Sequence, residues 1–109
     1  MKSKINQIAL LGTSADPPTQ GHQALLEGLL NLYPKVVTWA SNNPIKIHGT
    51  SLNTRHKLLK VLVESIDNEN LELIQELSSP WTLKTLEDAH KRWPKNELIF
   101  VIGSDLIEQ

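Results

Sequence analysis

The chain has no cysteine among its 109 residues. Disulfides, thiolate zinc sites and cysteine nucleophiles are therefore excluded together. It also lacks an excess of charge of either sign, since 11 Lys and Arg against 12 Asp and Glu leave a formal net charge of -1. Proteins held to nucleic acid or to an anionic membrane by bulk electrostatics carry a clear positive excess, so neither partner is expected and any phosphate binding has to be local. No apolar run is long enough to span a bilayer, and Met1-Lys2-Ser3-Lys4-Ile5-Asn6-Gln7 lacks the apolar core of a signal peptide. A cytoplasmic address is the expectation. What is present, 39% hydrophobic and 21% charged residues without repeats or low-complexity stretches, suits one small globular domain over residues 1–109.

The apolar runs and turn signals alternate in a regular rhythm. Ile5 to Leu11 has little strict alternation, the pattern of a strand buried on both faces, and Gly12 ends it. After a polar turn, His22, Leu25, Leu26, Leu29 and Tyr33 follow helical spacing, and Pro34 stops that helix. Lys35 to Ala40 is β-branched and aromatic, a second strand, and Ser41-Asn42-Asn43-Pro44 is rich in turn formers. A second helix is expected from Leu52, with Leu59, Leu62, Val63 and Ile66 on its inner face and Ser51 or Asn53 as cap.

Leu71 to Leu77 alternates partly and reads as a strand near the sheet edge. Ser79-Pro80 reads as a cap followed by proline at the first helical position, with Leu83, Leu86, His90 and Trp93 as the buried stripe of a third helix. Leu98 to Ile102 is the most apolar run, expected to be a central strand, and Gly103-Ser104-Asp105 should open another helix. Strands alternating with helices imply an α/β fold, a Rossmann-like parallel sheet with right-handed crossovers and expected order 3-2-1-4. In that order the turn from Gly12 to His22 lies beside Gly103 to Asp105, at the carboxyl ends where ligands bind.

The turn after the first strand is where chemistry is expected. A helix N-terminus presents unpaired N–H groups and a partial positive charge, which together attract phosphate. Thr19 and His22 would add directed donors, and Gly21 would let a ligand approach the backbone. The plainer alternative, that His22 is a packed histidine on the stripe of Leu25 and Leu29, is outweighed by the strand, the turn and Gly21. The glycine spacing G-x-G-x-x-G is absent, and no Gly-Lys-Thr or Gly-Lys-Ser follows, so neither the dinucleotide fingerprint nor the P-loop applies.

Gly12-Thr13-Ser14-Ala15-Asp16-Pro17-Pro18-Thr19-Gln20-Gly21-His22 resembles the nucleotidyltransferase signature G-G-T-F-D-P-x-H-x-G-H, or its T-x-G-H form. Three further stretches are similar to the nicotinate-nucleotide adenylyltransferase family: Asn43-Pro44-Ile45-Lys46, Pro80-Trp81-Thr82-Leu83-Lys84-Thr85-Leu86 and Phe100-Val101-Ile102-Gly103-Ser104-Asp105. The departures are Thr13 for glycine, Ser14 for threonine, Ala15 for phenylalanine, and Thr19 where many members carry histidine. Thr19 is also found in phosphopantetheine adenylyltransferases. The family continues to a late Ile-Ser-x-Thr-x-x-Arg motif that does not occur in this sequence, so residues 1–109 resemble the N-terminal part of a longer family domain.

The resemblance implies transfer of AMP from ATP to nicotinate mononucleotide, giving deamido-NAD and pyrophosphate, with Mg²⁺ accompanying ATP. It implies catalytic roles for His22 and Thr19, ATP contacts from Gly12, Thr13, Ser14, Gly21, His22, Gly103 and Asp105, and acceptor contacts from Lys46, Trp81, Thr82 and Thr85. Trp81 would stack on the pyridine ring, or else pack in the core. Thr82 and Thr85 at spacing i, i+3 would share a face toward the ring substituent, Thr82 serving the first helical turn as the alternative. His48 could assist Lys46, whose plain reading is a solvated lysine. Asp105 would accept from a ribose or hold Mg²⁺ through water, or cap a helix. Arg55 is expected in an exposed or structural ion pair, His56 and His90 on helix surfaces or in packing, Trp39 and Trp93 in the core, and Glu64, Asp67, Glu69 and Glu72 in a solvated acidic patch. Related acceptors, nicotinamide mononucleotide or phosphopantetheine, and a non-catalytic nucleotide-binding module are the alternatives. Homo-oligomerisation is left open.

Overall fold

A computed structural model describes residues 6–13, 20–41 and 51–101. The strands are β1 (Gln7–Thr13), β2 (Lys35–Ala40), β3 (Leu71–Leu73) and β4 (Glu97–Phe100), and the helices are α1 (Gln20–Leu32), α2 (Leu52–Ile66) and α3 (Thr82–Arg92). A single 3₁₀ turn, Gln75–Leu77, stands between β3 and α3. The four strands form one sheet in the order β3-β2-β1-β4, with every pairing parallel, as the α/β rhythm led one to expect.

Alternation along β1 and β2 assigns each side chain to a face. Ile8, Leu10, Val37 and Trp39 pack with Ala89 of α3, together with Ile74 and Leu77. Ala9, Leu11 and Val36 pack on the other face with Leu26 and Leu29 of α1, while Leu62, Val63 and Ile66 of α2 close over them. Helices on both faces make β1 and β2 apolar along their whole length, which is why these two strands read so plainly. On the α1 side Thr38 is fully enclosed, and its hydroxyl donates to the Leu11 carbonyl at 2.7 Å.

Local chemistry sets the helix ends. Ser51 caps α2, its hydroxyl accepting from the Thr54 N–H at 3.2 Å. Asp67 ends the same helix in the left-handed region at φ 51°, with its N–H donating to the Val63 carbonyl. At the sheet's amino edge the Asn6 carbonyl accepts from the Glu97 N–H and from Asn96 Nδ2, each at 3.0 Å, which registers β4 against the start of β1.

Four expectations are corrected. The strand expected over Leu71 to Leu77 stops at Leu73, and the chain turns into the 3₁₀ segment. The helix expected from Pro80 begins at Thr82; Ser79 acts before it, its hydroxyl accepting from the Trp81 N–H at 3.1 Å. On α3 the buried side chains are Thr85 and Ala89, while Leu83, Leu86 and His90 face solvent and Trp93 is half-buried. Small residues let the helix lie close to the sheet, and the Thr85 hydroxyl fixes its rotation by donating to the Leu77 carbonyl at 2.7 Å. β4 lies at one end of the described sheet and is half-buried throughout. On α1, Leu25 also turns outward, leaving Leu26 and Leu29 as its buried pair.

Candidate functional site

β1 is flanked by β2 on one side and β4 on the other, and the strand order reverses there: the chain runs outward from β1 through β2 to β3 and then crosses back to β4. The crevice beyond the carboxyl ends of β1 and β4 is the topological switch point. The Val101 N–H, donating to the Leu10 carbonyl at 2.8 Å, extends the β4 pairing to this edge. Into it opens the first turn of α1, which carries Gly21 and His22 and has no acidic residue to offset the partial positive charge of the helix end. Gly21 is exposed and His22 half-buried.

The end of β1 itself is tightly built. Gly12 stands opposite Trp39 in the β1–β2 register, and a Cβ at Gly12 would come within 2.6 Å of the Trp39 indole nitrogen. The glycine at this position thus has a packing reason besides any approach by a ligand. Thr13 is buried at the strand end, and its hydroxyl has no hydrogen-bond partner among the described residues. A buried hydroxyl without a partner is costly, and Thr13 shares this state with Ser78 among the described residues.

The N-terminal turn of α3 approaches the same carboxyl edge from the opposite face of the sheet. Trp81 is 66% exposed there, beside an exposed Thr82. A flat indole in water at a binding edge suits stacking, and the core alternative for Trp81 does not hold. Thr85 is different. It is 3% exposed, and its hydroxyl proton is engaged by the Leu77 carbonyl, so it offers no surface to a ligand and anchors α3 instead. The two threonines do not share an exposed face.

The structure therefore brings Gly12, Thr13, Gly21, His22, Trp81 and Thr82 to one edge. Ser14, Thr19, Lys46, His48, Gly103 and Asp105 lie outside the described residues. Among the described residues no group of three or more His, Asp or Glu side chains converges as a metal cage. Glu64, Asp67 and Glu69 line a shallow open hollow where β3 begins, at the far edge of the sheet from this site.

Two side chains matter more than their sequence suggests. Arg55 is 2% exposed, so the exposed alternative for it does not hold, and its Nη1 donates to the Ser41 carbonyl at 2.8 Å. Gln75 bonds both backbone groups of Ala40, its Oε1 accepting from the N–H at 3.0 Å and its Nε2 donating to the carbonyl at 2.9 Å. Arginine within an amphipathic helix start is a weak signal, and a glutamine ending a strand-like run is none.

A parallel sheet wound on both faces, with a helix N-terminus at its switch point, defines a doubly wound α/β domain of nucleotide-binding type. The chain belongs to the cytidylyltransferase-like family, whose model matches residues 10–109. Over 94% of its length it is 39% identical to a probable nicotinate-nucleotide adenylyltransferase of a Synechocystis species, covering 56% of that protein. It is 30% identical to the nicotinate-nucleotide adenylyltransferase of Bacillus subtilis over 95% of its length, covering 59% of that one. The chain thus spans somewhat more than half the length of these curated relatives.

Among solved structures, a nicotinate-nucleotide adenylyltransferase assignment from Vibrio parahaemolyticus aligns with TM-score 0.74 and 25% identity over 94% of this chain and 64% of that one. The nicotinic acid mononucleotide adenylyltransferase of Plasmodium falciparum, solved in complex with NaAD, aligns with TM-score 0.75 at 22% identity over 94% and 54%, a likeness of fold. No helix of the described residues is long and apolar enough to cross a membrane.

Proposed function

We propose that the protein is an adenylyltransferase that moves AMP from ATP to nicotinate mononucleotide, releasing pyrophosphate and forming deamido-NAD. The observation that carries this reading is the first turn of α1, with Gly21 and His22 and no carboxylate, set at the carboxyl end of β1 beside β4. The names of the relatives and the signature residues 12–22 support it.

A phosphate oxygen of the acceptor attacks the α-phosphorus of ATP, and a new P–O–P linkage forms. The bond from that phosphorus to the α,β-bridging oxygen breaks, and its electron pair leaves with pyrophosphate. No side chain is covalently modified. Catalysis is then positioning plus stabilisation of charge on the transferring phosphoryl group. His22, Thr19 and the helix N-terminus meet the phosphates, with Gly12, Thr13, Ser14 and Gly21 lining the turn. Mg²⁺ accompanying ATP would neutralise charge on the departing pyrophosphate, and Asp105 would hold it through water if it does not accept from the ribose. Lys46 holds the attacking phosphate, Trp81 stacks on the pyridine ring with Thr82 beside it, and Gly103 and Asp105 face the nucleoside. A site in the cytoplasm agrees with this chemistry.

Thr19, the variant shared with phosphopantetheine adenylyltransferases, favours phosphopantetheine as the second reading of the acceptor. Calorimetric titration separates the readings. In the presence of a non-hydrolysable ATP analogue, nicotinate mononucleotide should bind more tightly than nicotinamide mononucleotide or phosphopantetheine; the reverse order would replace the acceptor.

A further inference from the structure

Trp39 brings a hydrogen-bond donor to the carboxyl edge of the sheet, on the face that α3 covers. Its ring belongs to the core cluster of Ile8, Leu10, Val37 and Leu77, and the residue is 3% exposed. The edge of the indole that carries the N–H is turned to β1: a Cβ on Gly12 would lie 2.6 Å from Nε1, 3.0 Å from Cε2 and 3.3 Å from Cζ2. Gly12 stands two residues beyond Leu10, where the ladder between β1 and β4 ends, so this edge overhangs the crevice at the switch point. A side chain in place of Gly12 would strike the nitrogen and cover it. Glycine leaves it uncovered.

Among the described residues no group accepts from Nε1; the aromatic neighbour of the ring, Phe100, meets it edge-on at 6.3 Å between centroids. A buried indole N–H ordinarily has a partner, because an unmatched donor away from water is costly. The indole nitrogen only donates, so the group that suits it is an oxygen acceptor. Leu26 and Leu29 hold α1, with His22 in its first turn, on the other face of the sheet. With its phosphate at that turn, a mononucleotide directs its base away from α1, toward the face where Trp39, Trp81 and Thr82 stand. The acceptor that arrives there is the oxygen-bearing substituent of the base.

We propose that the Trp39 N–H donates to the pyridine carboxylate of nicotinate mononucleotide and so selects the acid over the amide, an inference that rests on the acceptor reading given above. A carboxylate presents an oxygen whichever way the group is turned, and its charge strengthens the bond. A carboxamide is neutral and presents an NH₂ in one of its two orientations. Because the ring is packed in the core, its N–H stays where it is when the ligand changes, which is what a fixed discriminator requires.

The test follows the indole N–H resonances of the ¹⁵N-labelled protein, assigned with Trp39→Phe, Trp81→Phe and Trp93→Phe. Nicotinate mononucleotide should move the Trp39 indole proton to lower field and slow its exchange with water, and nicotinamide mononucleotide should move it much less. The benzothiophene analogue of tryptophan, placed at position 39 alone, keeps the shape of the ring and replaces the N–H by sulfur. Its dissociation constant for nicotinate mononucleotide should rise about tenfold, the scale of one hydrogen bond to a charged group, with those for nicotinamide mononucleotide and ATP unchanged. A merely structural role for the ring would weaken both mononucleotides alike. If the substituted chain does not fold, the wild-type resonance carries the comparison. A Trp39 indole proton that stays in place while nicotinate mononucleotide binds, or that responds equally to the two mononucleotides, overturns the role of Trp39 and leaves the acceptor reading standing. A wild type that binds ATP but neither pyridine mononucleotide overturns the acceptor reading, and this contact with it.

Discussion

The indole of Trp39 lies across Gly12, so that a single methyl group on that glycine would fall 2.6 Å from the indole nitrogen. Trp39 is buried in the core and sets its ring edge-on to Phe100, with centroids 6.3 Å apart, and has little freedom to retreat. The glycine that opens the signature turn is thus also the seat of a core tryptophan.

Gly12→Ala should destabilise the fold by about 1–3 kcal/mol, the cost of overpacking a filled site. Chemical denaturation measures it, and near-UV circular dichroism should report the displaced indole. Trp39→Phe removes the clashing atoms, so the double variant should lose less than the two single losses combined. Strict additivity would mean that the contact does not govern this position.

Thr85 holds α3 to the turn before it. Thr85→Val keeps the shape but leaves the buried Leu77 carbonyl without its donor, which should cost about 1–3 kcal/mol in a denaturant midpoint, with Thr85→Ser recovering part of it. An unchanged midpoint in Thr85→Val would show that the bond contributes nothing.

The ends of α2 respond in opposite directions. Ser51→Ala should lower stability by about 1 kcal/mol through loss of the cap on the Thr54 N–H. Asp67→Gly should raise it by roughly 0.5 kcal/mol, because glycine takes the left-handed region without strain and removes a negative charge from a helix C-terminus. Thermal unfolding of the two variants reads both signs.

The sheet was legible in the sequence where burial on two faces makes a strand continuously apolar, as in Ile8 to Leu11 and Val36 to Ala40. The switch-point position of Gly12, Gly21 and His22 follows from strand order. The sequence implies a longer β3, because Leu-Glu-Leu-Ile-Gln-Glu-Leu keeps alternating after the chain has turned away, and a leucine-faced α3, because leucines outweigh Thr85 and Ala89 in a hydrophobic pattern. Side-chain size points inward only where space exists; a close helix takes small residues there. Gln75 was invisible because its role depends on Ala40, 35 residues earlier, arriving beside it with unpaired backbone groups. His22 was legible through its motif, and nothing in its neighbours alone distinguished it from a packed histidine.

If His22 supplies a donor to the transferring phosphoryl group, His22→Ala should lower kcat by roughly two to three decades, the scale for losing one such donor, while leaving the fold intact. Steady-state kinetics with a circular-dichroism control measures this. Normal turnover in the variant would remove His22 from the mechanism.

The most direct measurement is pyrophosphate release by the intact protein given Mg²⁺ and ATP with nicotinate mononucleotide, nicotinamide mononucleotide or phosphopantetheine in turn. Nicotinate mononucleotide should give the fastest release, with deamido-NAD appearing in equal amount. ATP binding without pyrophosphate release from any acceptor, or faster release with phosphopantetheine, would contradict the account.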